Sequence, residues 1–98
     1  MKHHIICKFK DTVSKEELKA MLPDIQALFD HCNEIPGVEK TELIPNVIDR
    51  PNRYDLMIRL TMTPEGLEAY DISDMHKAWK KNFSAYMESK CIFDCPEN

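Results

Sequence analysis

Four cysteines (Cys7, Cys32, Cys91 and Cys95) and the adjacent pair His3-His4 are the residues of this 98-residue chain best suited to hold a metal or move electrons. The cysteine spacings fit neither a Cys-x-x-Cys redox centre nor the paired ligands of a zinc ribbon, and buried free thiols are the simpler reading. Neighbouring strand side chains point to opposite faces, so His3 and His4 would not converge on one metal. Even with Cys7, a third ligand would have to come from elsewhere. No metal and no cofactor is therefore expected. Met21, Met57, Met62, Met75 and Met87 fit a gap-filling core better than a copper site. Lys77, Lys80, Lys81 and Lys90 could hold an anionic ligand at a pocket rim, although a solvated helix face is the simpler reading.

The elements that must position these side chains are legible in the hydrophobic pattern. Over residues 2–10, His3, Ile5, Cys7 and Phe9 alternate with His4, Ile6, Lys8 and Lys10, the period of two of a strand with its first face in the core. A helix follows over residues 14–34. Ser14 and Glu17 have the spacing of a capping box, and Val13 and Leu18 that of a hydrophobic staple. Leu18, Met21, Leu22, Ile25, Leu28, Phe29 and Cys32 make one apolar stripe. Pro23 inside the stripe predicts a kink, and Pro36-Gly37 ends the segment.

Residues 38–47 read as a second strand with Pro45 marking an edge or bulge, and residues 48–53 as a turn-rich loop. Leu56, Ile58, Leu60 and Met62 alternate with Asp55, Met57, Arg59 and Thr61 in a third strand. Pro64-Glu65-Gly66 opens a short helix through Tyr70. Asp74 is placed to cap a further helix carrying Met75, Ala78, Trp79, Phe83, Tyr86 and Met87, and residues 91–95 form a last strand. The order β-α-β-β-α-α-β, with right-handed crossovers, predicts an α+β fold. It is a ferredoxin-like split β-α-β, a four-stranded antiparallel sheet with helices on one face.

The length fits one domain over residues 1–98, and 43% hydrophobic with 31% charged residues describes a globular chain, not a disordered one. A net charge of −4 offers no positive field, so neither nucleic acid nor an anionic membrane is an expected partner. The longest apolar run near the start is Ile5-Ile6-Cys7, short of the roughly seven residues of a secretory signal core and the roughly twenty of a membrane span. The protein is accordingly expected in the cytoplasm. The sheet face away from the helices carries Ile6 and Met57 among Lys8 and Arg59. A second copy stacked sheet on sheet would cover them, which predicts a homodimer through that open face.

Several short motifs, in order, give the chain a resemblance. They are Lys2-His3-His4-Ile5-Ile6-Cys7-Lys8-Phe9-Lys10, Ile35-Pro36-Gly37-Val38, and Asn46-Val47 followed by Asn52-Arg53-Tyr54-Asp55. Leu67-Glu68-Ala69-Tyr70 with His76 six residues later, and the closing Ile92-Phe93-Asp94, complete the set. In these the chain resembles the stress-responsive alpha/beta barrel family, the dimeric alpha+beta barrel (Dabb) domain, over nearly its whole length. The resemblance implies a dimeric alpha+beta barrel, a homodimer whose two sheets close one barrel, with a pocket between helices and sheet in each protomer. That pocket is expected to be lined by His3, Ile5, Cys7 and Phe9 of the first strand and Phe29 of the first helix. Leu56 and Ile58 of the third strand, Trp79 and Asp94 complete the lining.

The family members with known chemistry are plant polyketide cyclases, which close a linear polyketide by an intramolecular aldol condensation. By resemblance, His76 stands where their base does, Tyr70 where their tyrosine hydroxyl does, and His3 matches a pocket histidine on the first strand. The residue types suit the reaction: an imidazole near pKa 6.5 can accept a proton from beside a carbonyl, and a phenol O–H can steady the enolate. The chain departs from the family pattern in two places. Ser73-Asp74-Met75-His76 replaces His-Pro-x-His, and Leu56 stands where some cyclases carry a histidine. Three classes of function follow. The first is a dimer binding a small apolar or aromatic metabolite. The second is a cyclase-like lyase using His76 and Tyr70, and the third is a structural stress protein with no specific ligand.

Overall fold

The alternation at the start of the chain folds as β1 (Lys2–Phe9), in which His3, Ile5, Cys7 and Phe9 are all buried. A computed structural model describes residues 1–97; Asn98, the last residue of the expected domain, lies outside them. After β1 come α1 (Lys15–Asp30), β2 (Val38–Pro45), β3 (Leu56–Met62), α2 (Pro64–Asp71), α3 (Asp74–Phe83) and β4 (Met87–Cys95). The strands pair antiparallel in the order β2-β3-β1-β4, a ferredoxin-like sheet. No helix among the described residues is long and apolar enough to cross a membrane.

The start of α1 forms for the reason its sequence predicts. Ser14 Oγ accepts from the Glu17 N–H at 3.1 Å, and Glu17 Oε1 accepts from the Ser14 N–H at 3.3 Å. Two orphan donors of the first turn are thereby satisfied. Helical structure continues through Pro23, whose missing N–H leaves one rung of the ladder unmade. The α-helix ends at Asp30 and tightens into a 3₁₀ turn, His31–Glu34, so the expected helix over 14–34 is two elements.

The two glycines of the chain hold α2 against the start of β2. Gly37 has φ +89°, a left-handed conformation that favours glycine, and a Cβ there would meet Thr63 Oγ1 at 2.6 Å and Gly66 Cα at 2.7 Å. The Thr63 N–H donates to the Gly37 carbonyl at 2.8 Å, and Thr63 Oγ1 caps α2 by accepting from the Gly66 N–H at 3.1 Å. This close approach fixes where α2 begins, and therefore where Tyr70 at its other end falls.

β2 ends at Pro45, not at residue 47, and the second half of the chain departs further from the sequence reading. Apolar spacing carries the last helix through Met87, but the chain tightens into a 3₁₀ turn at Ser84–Tyr86 and β4 begins at Met87, not at residue 91. Pairing with β1 overrides the helical pattern there: Met87 sits opposite Phe9 and Lys90 opposite Cys7, and the Lys10 N–H donates to the Tyr86 carbonyl at 2.9 Å. The cap of α3 is Ser73, not Asp74, because Ser73 Oγ accepts from the His76 N–H at 3.2 Å. The core joins β1 and β3 to the helices, with Cys7, Ile58 and Leu60 against Ile25 and Phe29, all fully buried. Each such apolar side chain contributes about 1.5–3 kcal/mol relative to exposure.

Candidate functional site

Tyr70 ends α2 and His76 lies in the first turn of α3, and one hydroxyl joins them. Ser73 Oγ donates to the Tyr70 carbonyl at 2.7 Å while accepting from the His76 N–H at 3.2 Å. The short break between the helices thus brings the two rings together, their centroids 4.6 Å apart and inclined by 46°. His3 approaches from β1, 5.6 Å from the Tyr70 ring. Opposite His3 in the sheet is Asp94 of β4, and the two side chains meet at 2.5 Å between Nδ1 and Oδ1.

These groups line an open cleft of about 340 Å³ between α2, α3 and the β1–β4 edge of the sheet. That size lies at the lower end of ligand pockets, roughly 300–1,000 Å³. Its walls are His3, Ile5, Leu67, Tyr70, Asp71, His76, Trp79, Lys80, Lys90, Ile92 and Asp94. Of the residues singled out from the sequence, His3, Ile5, Tyr70, His76, Trp79 and Asp94 are therefore assembled, and of the four rim lysines Lys80 and Lys90 line the cleft. Cys7, Phe9, Phe29, Leu56 and Ile58 are instead packed inside the core, because they lie where the helices cover the sheet completely. Leu67, Asp71 and Ile92 join the walls without having been singled out. Ile92 and Lys90 share the helix-facing side of β4 with Asp94; Ile92 alternates with Asp94 within the expected strand, whereas Lys90 joins them because β4 begins at Met87.

Hydrogen bonding sets the state of each ring. His76 Nδ1 lies 3.0 Å from the Asp71 carbonyl, which can only accept, so the neutral ring carries its proton on Nδ1 and leaves Nε2 free to take one. Partial burial holds the His76 pKa below the usual 6.5, with Lys80 and Lys90 adding repulsion, against the opposing pull of the Asp71 carbonyl. At neutral pH His76 is therefore a base with a vacant nitrogen. Asp94 Oδ1 accepts from His3 Nδ1–H and orients that ring.

Tyr70 is 1% exposed, and its hydroxyl finds no hydrogen-bond partner. Burial pushes its pKa far above the ordinary phenol value, so the group remains an O–H donor. A buried hydroxyl left unpaired costs about 1–3 kcal/mol. Among the described residues, no three His, Cys, Asp or Glu side chains come together as metal ligands.

Comparison with known proteins places this geometry. No curated protein matches the sequence. The chain superposes on a dimeric protein of unknown function with a ferredoxin-like fold from Bacteroides fragilis, with TM-score 0.80 and 19% identity over 96% of this chain and 92% of that one. A Dabb family protein with a ferredoxin-like fold from Mesorhizobium loti gives 0.73 and 16% over 99% and 96%. Hydroxynitrile lyase from Passiflora edulis gives 0.70 and 14% over 99% and 94%. At such identities the likeness is one of fold. Residues 1–97 match the family described as Dabb, Stress responsive A/B Barrel Domain, and the chain belongs to that family.

Proposed function

We propose that the protein is a single-domain homodimer that binds a small apolar or aromatic metabolite bearing a carbonyl group in the cleft under α2 and α3. The unpartnered Tyr70 hydroxyl carries this reading. Folding leaves a strong donor buried beside a cleft of mixed apolar and polar walls, and a ligand carbonyl would supply the missing acceptor. A purely structural role would suit a cleft filled by Phe9, Leu28, Phe29, Ile58 and Trp79. Of these, only Trp79 reaches its wall.

His76 supports a second reading, a cyclase-like lyase. Nε2 would remove a proton from the carbon beside the carbonyl, the electron pair moving to make an enolate whose oxygen accepts from Tyr70 O–H. The enolate carbon would then attack a second carbonyl of the same molecule. The new C–C bond closes a ring, and the resulting alkoxide takes the proton back from His76.

The dimer reading rests on the other sheet face. The register aligns Ile44, Met57, Ile6 and Cys91 across all four strands, and Phe93 stands in the adjoining row, 59% exposed. Sequence patterning had shown only Ile6 and Met57. An apolar band this wide favours cover by a second copy, and several structural neighbours are described as dimeric. Light scattering should give twice the 11.5 kDa of one chain. A concentration-independent monomer would remove the dimer.

Binding and chemistry separate at His76. In a screen of aromatic acids, β-keto acids and acyl-thioester mimics, a ligand at a hundred times its Kd adds about 2.7 kcal/mol and raises Tm by several degrees. His76→Ala is expected to keep binding and lose most turnover of any substrate so found. Unchanged turnover would end the lyase reading, and a panel with no stabilising compound would end the binding reading.

A further inference from the structure

Two ammonium groups in the cleft are as uncommitted as the Tyr70 hydroxyl. Lys80 lies four residues after His76, on the same side of α3, and Lys90 alternates with Ile92 and Asp94 on the helix-facing side of β4. They therefore reach the cleft from facing walls. His76 lines the same cleft as both lysines. Among the described residues, neither has an ion-pair partner within 4.0 Å. Of the two carboxylates at the cleft, Asp94 is engaged by His3, and Asp71 ends α2 at the rim. Ile5, Leu67, Trp79 and Ile92 add apolar surface to the same cleft.

From this arrangement we infer that the ligand is a small keto acid, its carboxylate held between Lys80 and Lys90 and its carbonyl oxygen accepting from Tyr70. The inference rests on the cleft being the ligand site. Each ammonium carries three N–H donors, and two ammonium groups facing one another can each bond one oxygen of a carboxylate. An aryl or alkyl spacer between carboxylate and carbonyl fits the apolar walls.

The test compares 3-benzoylpropionate with its uncharged methyl ester, by calorimetry and by chemical shifts of the His76 ring. The acid should bind about tenfold tighter than the ester. Lys80→Gln and Lys90→Gln should each weaken the acid about three- to fivefold and leave the ester unchanged, and added salt should erode the acid's advantage. An ester that shifts His76 and binds as tightly as the acid overturns the carboxylate site while leaving the cleft as a ligand site. Binding of neither compound overturns both readings. Displacement of the acid by equimolar inorganic phosphate overturns the choice of carboxylate over phosphate.

Discussion

The helix-facing side of the sheet has two unlike halves. Over β3 and the adjoining part of β1, Cys7, Leu56, Ile58 and Leu60 meet Ile25 and Phe29 of α1, none more than 1% exposed. Toward β4, the same face carries His3, Lys90 and Asp94 beneath Tyr70 and His76. Both halves obey one strand period, so alternation alone does not distinguish them. The difference is cover. The interior half is packed dry, whereas β4 is an edge strand with largely exposed residues, and polar side chains gather where helix cover stops. The dry half holds the fully buried apolar side chains, and the polar half leaves the Tyr70 hydroxyl unpaired.

Substitution in the dry half should show the largest effect. Phe29→Ala opens a cavity at a fully buried site and should cost about 3–5 kcal/mol in denaturant unfolding. A loss under about 1 kcal/mol would mean this half is not tightly packed, and the contrast would collapse.

The polar half should answer to pH. His76 binds a proton less readily folded than unfolded, so between its lowered pKa and 6.5 the unfolded chain holds more protons. Stability should therefore be complete above pH 6.5 and fall as pH drops through that window. His76→Gln should remove this component, read as the difference between the wild-type and variant stability curves. Any turnover that uses His76 as a base should have its acid limb below pH 6.5. A limb above 6.5 would contradict the geometry.

Thiol chemistry sharpens the contrast at smaller cost. Burial pushes the Cys7 and Cys32 thiols up to about 12, so both should resist alkylation at pH 8 until the chain unfolds. Exposed Cys91 should react in the monomer and be protected by a sheet-to-sheet dimer. Mass mapping of labelled peptides reads each position separately, and rapid native labelling of Cys7 would show that the dry half opens.

The dry half was the more legible in the sequence. Ile58, Leu60 and Phe29 announce themselves by period, and the Ser14–Glu17 box marks the helix start by spacing. The polar half depends on choices that spacing leaves open. Ser73 and Asp74 are both capping types, and only the folded chain shows Ser73 Oγ bridging Tyr70 and His76. Lys90 enters the cleft because pairing with β1 starts β4 early, a long-range effect invisible in local periodicity. Local pattern likewise cannot say that helices cover Cys7, Leu56 and Ile58 while leaving His3 and Asp94 beside a cleft.

The most direct measurement is Tyr70→Phe, followed by denaturant unfolding and by binding of 3-benzoylpropionate. Removing only the unpaired hydroxyl should leave the protein at least as stable as wild type, because no hydrogen bond is lost and one buried polar atom disappears. The same change should weaken the ligand about tenfold. A variant that loses 1 kcal/mol or more of stability while binding the ligand unchanged would contradict the idea that this hydroxyl is held unpaired for a ligand.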